Sequence, residues 1–312
     1  MKKVLIEMLI CPLCLPEEHR LRETLLKHTP DDIVEGDLRC EYCRKTYPIR
    51  EGIAFLDPNH SEEGLAKNRY ETAPLLSAYL WSHYGDLLQD ELATDAYRAW
   101  ADLMQPHANA SLDTGSAMGR FSFEMAQKCD FVVGIDNSVS FIRTSRDLMI
   151  HRGANFELPE EGRLMRQERF SFPEDWKTDN IEFVVGDAQA IPFRSGLFSS
   201  VSSLNVVDKV PKPLTHLIEI NRIARTRNAQ LLFSDPFSWS AEVADPESWL
   251  GGTPDGTFSG WGRENIIALL EGKRGAFAPT WQIDRYGHVW WKIRTHSNHF
   301  ELIRSCFIKA FR

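Results

Sequence analysis

Four cysteines in two C-x-x-C pairs, Cys11-Pro12-Leu13-Cys14 and Cys40-Glu41-Tyr42-Cys43, constrain this chain more than any other feature. A two-residue spacer lets both sulfurs of one turn face a single ion, and four thiolates close a tetrahedral site at a Zn–S distance of ~2.3 Å. With sulfur at all four positions no place is left for water. Such a Zn2+ is structural, and it contributes folding free energy to a module too small for a core of its own. Four buried reduced cysteines are the plainer alternative, and an iron–sulfur cluster would use the same ligands. The other two cysteines, Cys129 and Cys306, stand singly on apolar segments and read as core residues.

The chain divides into three stretches around that feature. Residues 1–57 hold both pairs and end in the strand and turn Tyr47-Pro48-Ile49-Arg50-Glu51-Gly52-Ile53. Residues 58–108 are a helical linker and cap, with Leu75, Leu76, Tyr79, Leu80, His83, Tyr84, Leu87 and Leu88 at the spacing of an amphipathic helix. From residue 109 to 312, short apolar runs at 112–113, 131–136, 181–185, 201–204 and 230–234 alternate with helical segments, which is the pattern of a parallel sheet covered on both faces. Residues 151–179 are polar and punctuated by proline, an insertion in the form of a surface loop or small hairpin. The last segment, 287–294 and 300–311 around Thr295-His296-Ser297-Asn298, reads as an antiparallel edge hairpin.

The chain of 312 residues carries 36 Lys and Arg against 44 Asp and Glu, a net charge of −8. Proteins built on phosphate contacts carry a basic field instead, so nucleic acid is a disfavoured partner. No run of eighteen apolar residues occurs, and the first residues turn charged too soon for a secretory signal; a cytoplasmic protein with no membrane span is expected. Oligomeric state is not legible.

The segment from Val4 to Pro12, with Gly36 to Cys40 and Tyr47 to Ile53, resembles the Trm112-like zinc ribbons. In that family the ribbon occurs alone as a methyltransferase partner or fused in front of a methyltransferase domain.

The residues beyond the linker fit the second arrangement. Leu112-Asp113-Thr114-Gly115-Ser116-Ala117-Met118-Gly119 is a strand end, a small-residue turn and a helix start. Small residues allow close backbone approach, and a helix start presents unpaired N–H groups to a carboxylate or phosphate. The spacing fits D-x-G-x-G-x-G, with Ala117 at the middle glycine, better than the G-x-G-x-x-G of dinucleotide loops. Asp136, followed by Asn137, ends the next apolar run, where a carboxylate can accept from two ribose hydroxyls; capping of the following helix is the alternative. Gly186-Asp187-Ala188 places a third acid at the end of the next strand, and Asn205-Val206-Val207-Asp208 comes after the one beyond it.

In that order these pieces resemble the class I S-adenosylmethionine-dependent methyltransferases, over roughly residues 109–240. The resemblance implies a Rossmann-like α/β fold with a seven-stranded sheet in the order 3-2-1-4-5-7-6. It also implies S-adenosyl-L-methionine as cofactor, held by Asp113, Gly115, Ser116, Ala117 and Gly119 at the methionine part, Asp136 and Asn137 at the ribose, Asp187 and Ala188 at the adenine, and Asn205 and Val206 beside the methyl donor. A nicotinamide enzyme would leave the Gly-Asp-Ala piece unexplained.

Beyond Asp235, the segments Asp235 to Trp239 and Trp249 to Gly252 with the closing hairpin are similar to the methyltransferase domain of ovothiol-type synthases. That implies a small polar acceptor, although this chain has Thr295, Ser297 and Asn298 where those domains carry a basic patch near Arg294 and His296. Methyl transfer is an in-line displacement, so alignment supplies much of the rate and a base is needed only for a protonated O, S or N nucleophile. His83, Tyr84, Asp208, Asp235 and His288 are the candidates for that base. Tyr70, Tyr79, Trp81 and Trp261 are candidates to wall a pocket, and of Trp290 and Trp291, on opposite faces of a strand, one at most can face it. Two other readings stay open: an RNA base methyltransferase that uses the ribbon for recognition, against which residues 1–57 offer no basic stripe, and a non-catalytic partner that retains the fold.

Overall fold

A computed structural model describes residues 1–59, 71–275 and 277–312. The N-terminal module is a four-stranded antiparallel sheet of β1 (Leu21–His28), β2 (Ile33–Cys40), β3 (Thr46–Arg50) and β4 (Ile53–Ala54) in sequential order. Both cysteine pairs sit on single turns at its end. Cys14 N donates to Cys11 O (3.2 Å) and Arg44 N to Cys40 O (3.0 Å), so each spacer folds back and turns two sulfurs the same way.

α1 (Ala73–Tyr84) and α2 (Ala96–Asp102) lead into the main sheet. The helix expected to run through Leu88 ends at Tyr84, and it is not one-sided: Leu80 through Tyr84 are all buried. The reason is enclosure from several sides, which a single-helix pattern does not encode. Ser82 Oγ donates to Lys292 O (2.6 Å) on a distant strand, while Arg120 Nη1 donates to His83 O (2.9 Å) from the helix that follows the first strand of the main sheet.

The main sheet contains β5 (Ala110–Thr114), β6 (Phe131–Asp136), β9 (Ile181–Val185), β10 (Ser200–Leu204), β11 (Gln230–Asp235), β12 (Gln282–His296) and β13 (His299–Phe311), ordered β9-β6-β5-β10-β11-β13-β12. Numbered along the chain, that is 3-2-1-4-5-7-6, as expected. The first five are parallel, and β13 runs antiparallel to β11 and to β12. Parallel strands are buried on both faces, which is why β9 and β10 are buried at every position. α3 (Arg120–Ala126), α4 (Val139–His151), α5 (Pro213–Ile223) and α6 (Gly262–Leu270) connect the strands. The insertion forms the hairpin β7 (Gly153–Glu161) and β8 (Leu164–Ser171).

The N-terminal module docks on the β9 side of this sheet. Leu56 N donates to Val185 O (2.7 Å) and Ile10 N to Pro192 O (2.9 Å), and Arg146 of α4 pairs with Asp32 (2.7 Å) and Glu182 (2.5 Å). Leu38 and Ile49 of the module belong to the same apolar core as Leu112, Val133 and Phe233 of the sheet.

Candidate functional site

The chain reverses its winding between β5 and β10, whose C-terminal ends diverge and leave a crevice, the usual place for a ligand in an open α/β sheet. A cavity of about 160 Å3 lies there. Asp113, Gly115, Ser116, Ala117, Asp136, Asn137, Asp187, Ala188, Asn205 and Val206, expected around the cofactor, all line it, together with His83, Tyr79 and Tyr97. Gly119 does not. It lies behind the turn at φ 75°, where an added Cβ would stand 2.7 Å from the Phe183 ring.

The turn is narrow because Gly115, at φ 70°, lies against Val206; a Cβ would come within 2.3 Å of Val206 Cγ2. Ala117 occupies the left-handed region at φ 44° despite its methyl group. Four amides of this turn already have acceptors within the chain. Gly115 N and Ser116 N both donate to Ile135 O, Gly119 N to Ser116 O, and Ala117 N to Asp136 Oδ2.

Asp136 therefore has two jobs. Its oxygens accept from Ala117 N and Ser138 N, both at 2.9 Å, while the residue lines the cavity; burial pushes its carboxyl up to about 6 against these bonds. Burial also raises Asp113 to about 7, although Ser122 Oγ (2.7 Å) and Ser202 Oγ (2.9 Å) donate to it. Asp187 Oδ1 accepts from Gln189 N (2.8 Å). Asn205 Oδ1 accepts from Ser305 Oγ (2.6 Å), and Ser305 Oγ accepts from Trp291 Nε1 (3.0 Å). That chain fixes the Trp291 ring in the wall, while Trp290 faces away and is half exposed.

Of the residues proposed from sequence as proton acceptors, only His83 lines this cavity. Its Nε2 lies 2.7 Å from the Tyr97 hydroxyl and the two rings stack at 4.0 Å; its Nδ1 is buried with no hydrogen-bond partner among the described residues. Burial, helped by the charge of Arg120, lowers its pKa well below the ordinary value, so the ring is neutral near pH 7. Tyr84 lies outside the cavity because its hydroxyl donates to Met118 O (2.6 Å) and its ring stacks on Phe170. Asp208 is held under the floor by Ser238 N (2.8 Å) and Lys209 Nζ (2.9 Å), next to Asp235, whose carboxyl burial and the Asp208 charge raise far above its usual range. His288 opens onto a different cavity, as does Trp261. Trp81 is buried against Asp90 (2.8 Å), and Tyr70 lies outside the described residues. Tyr97 carried no signal in sequence: it meets His83 only because α2 folds back on α1.

At the cysteine turns, the four Sγ atoms lie within 4.8 Å of one another, Cys11 to Cys43 at 3.6 Å and Cys14 to Cys40 at 3.8 Å. A tetrahedron with ~2.3 Å bonds has edges of ~3.8 Å, so the cluster fits a zinc ion as it stands.

Comparison with known proteins agrees with both halves. The methyltransferase domain family matches residues 112–228, and the Trm112p-like protein family matches residues 2–52. The chain joins a Trm112p-like domain to a methyltransferase domain. Among solved structures it is similar to a SAM-dependent methyltransferase from Methanosarcina mazei, at 18% identity over 70% of this chain and 98% of that one, with a TM-score of 0.44. A SAM-dependent methyltransferase from Aquifex aeolicus aligns at 13% identity over 69% and 88%, TM-score 0.40. A chain of the complex between the Haloferax volcanii Trm112 methyltransferase activator and the putative methyltransferase aligns at 13% over 75% and 96%, TM-score 0.44. No curated protein matches the chain. Because the methyltransferase match ends at residue 228, the resemblance of later segments to ovothiol-type domains gains no support from it. No helix among the described residues is long and apolar enough to cross a membrane.

Proposed function

We propose that this methyltransferase binds S-adenosyl-L-methionine in the crevice between β5 and β10 and methylates a small acceptor there through an O, S or N nucleophile. The observation that carries the reading is that two residues of one cavity wall hold buried polar atoms with no hydrogen-bond partner among the described residues, Ser116 Oγ and His83 Nδ1. Buried polar atoms without partners are costly, and a ligand that supplies the partners recovers that cost.

When bound, the cofactor would supply an electrophilic methyl group on its sulfonium; the acceptor's lone pair would bond to that carbon as the carbon–sulfur bond breaks, leaving the electron pair on the sulfur of S-adenosylhomocysteine. The turn at Gly115 to Ala117 would admit the methionine part, Asp136 would accept from ribose hydroxyls beside Asn137, and Asp187 and Ala188 would border the adenine. Val206 and Asn205 would border the reacting end, in a wall that also holds His83. A protonated nucleophile gives its proton to His83 Nδ1, and the imidazolium so formed is steadied through Nε2–H by the Tyr97 oxygen. Tyr79, Phe141 and Trp291 wall the space from water. What supports a small acceptor over RNA is charge, −8 over the whole chain.

The test is calorimetric titration with S-adenosylmethionine, followed by a structure with S-adenosylhomocysteine. Uptake by the parent protein is expected, with an open space beside the product's sulfur bordered by His83 and Tyr97. A protein that takes up neither ligand refutes the reading.

A further inference from the structure

A second cavity, of about 490 Å3, opens at the end of β11 and shares no lining residue with the first. The strand geometry separates them. Trp291 and Ser305 turn toward the first cavity, while His288, Arg304 and Cys306, alternating with them on β12 and β13, turn to the opposite face. The size is that of a small-molecule site.

Its walls combine cationic and flat apolar groups. Arg304 has no carboxylate within ion-pair distance among the described residues; its Nη2 lies 3.1 Å from His288 Nδ1. Arg263 is paired with Glu264 (2.7 Å), yet the His288 pKa is lowered by burial and then by the charges of both arginines, so one field covers the three groups. The N-terminus of the nine-residue helix α6 also opens here, with Trp261 at its N-cap and no side-chain cap. Trp239 adds a donor: its indole Nε1 is enclosed and finds no acceptor among the described residues. The one acid in this wall, Glu264, is held by Arg263 (2.7 Å), which leaves the Arg304 guanidinium without a carboxylate partner among the described residues. Around them stand Phe237, Trp239 and Trp261, the last 80% exposed. A bare inorganic anion would leave these rings in water, and a neutral aromatic would leave the guanidinium uncompensated.

We propose that this cavity is a binding site for a planar aromatic acid, its carboxylate on Arg304 and the α6 N-terminus and its ring on Trp239 and Trp261. The site is independent of the reading given to the first cavity.

The test uses the full-length protein with 2-naphthoate as probe, and binding is read by calorimetry and tryptophan fluorescence. Saturable binding is expected, at least about tenfold tighter than 2-naphthylmethanol or inorganic phosphate alone, and unaffected by saturating S-adenosylhomocysteine. Arg304→Gln, at an exposed position, should weaken it about tenfold or more, the loss expected for one charge-assisted hydrogen bond, with unchanged thermal melting. Trp261→Ala should reduce both affinity and the fluorescence change. Absence of saturable binding, displacement by S-adenosylhomocysteine, equal affinity for the alcohol or for phosphate, or indifference to Arg304→Gln overturns the assignment.

Discussion

Two carboxylates at the crevice, Asp113 buried and Asp136 half-buried, carry opposite lessons about charge. Asp136 is poised near its titration point, raised to about 6 by burial. Only its ionised form accepts from hydroxyl donors with both oxygens, so cofactor affinity should be level above about pH 6 and fall below it, toward tenfold per pH unit, in titrations at stepped pH. Asp136→Ala should weaken cofactor binding by ~1–3 kcal/mol, the range for losing a hydrogen-bonded buried acceptor; unchanged affinity removes the role. Asp113 is raised further, to about 7. Since the unfolded value is ~3.9, the unfolded chain releases this proton first as pH rises. The contribution of Asp113 to stability is therefore full below about pH 4, declines through the interval and levels off above about pH 7. Asp113→Asn removes that dependence. Relative to the parent it should gain stability from pH 5 to pH 7, by at most ~1.4 kcal/mol per unit, read from urea midpoints; a pH-independent difference would show that Asp113 does not titrate there. The carboxylates themselves were legible in sequence, each ending an apolar run. Their raised pKa values were not, because burial depends on Tyr97 and the helices that roof them.

At the scale of elements, the parallel strands announced themselves as short continuous apolar runs, since both their faces are covered. α1 did not, and the cause is physical: its last turn is enclosed by β12, α2 and α3, so the polar face that amphipathic spacing requires is missing. What holds that turn is Arg120, 2% exposed, which donates to His83 O and pairs with Asp86 (2.6 Å) and Glu124 (2.7 Å). Nothing in the residues around Arg120 marks it as the link between two helices. Arg120→Met leaves two partly buried acids without their cation, and removing one partner of a buried pair costs ~3–5 kcal/mol. Melting should drop accordingly, and amide exchange should accelerate across residues 80–84 before the central strands respond. If exchange in that turn stays at the parent's rate, His83 is positioned by packing alone and the ion pairs are incidental.

Over the whole molecule the question is whether the Trm112p-like domain is an appendage or part of one folding unit. Composition and motif spacing suggest a separable module, because its cysteines and strands are complete within the first 57 residues. The contacts argue otherwise. Leu9, Leu38, Ile49 and Leu56 share an apolar cluster with Val133, Val184 and Phe193, Leu56 N bonds the edge strand β9, and Arg146 ties α4 to both Asp32 and Glu182. Unfolding the module would uncover that side of the sheet, so a metal that holds the cysteine turns stabilises residues far from it. Metal binding is linked to folding by mass action, whatever part of the fold carries the ligands. Chelation by a strong zinc chelator, or Cys40→Ser, should therefore lower the melting of the entire chain in calorimetry as a single transition, with the central amides losing protection together with those of β2. Two resolved transitions, of which only the first responds to the chelator, would show that the docking surface is weak and that the methyltransferase domain folds without its neighbour.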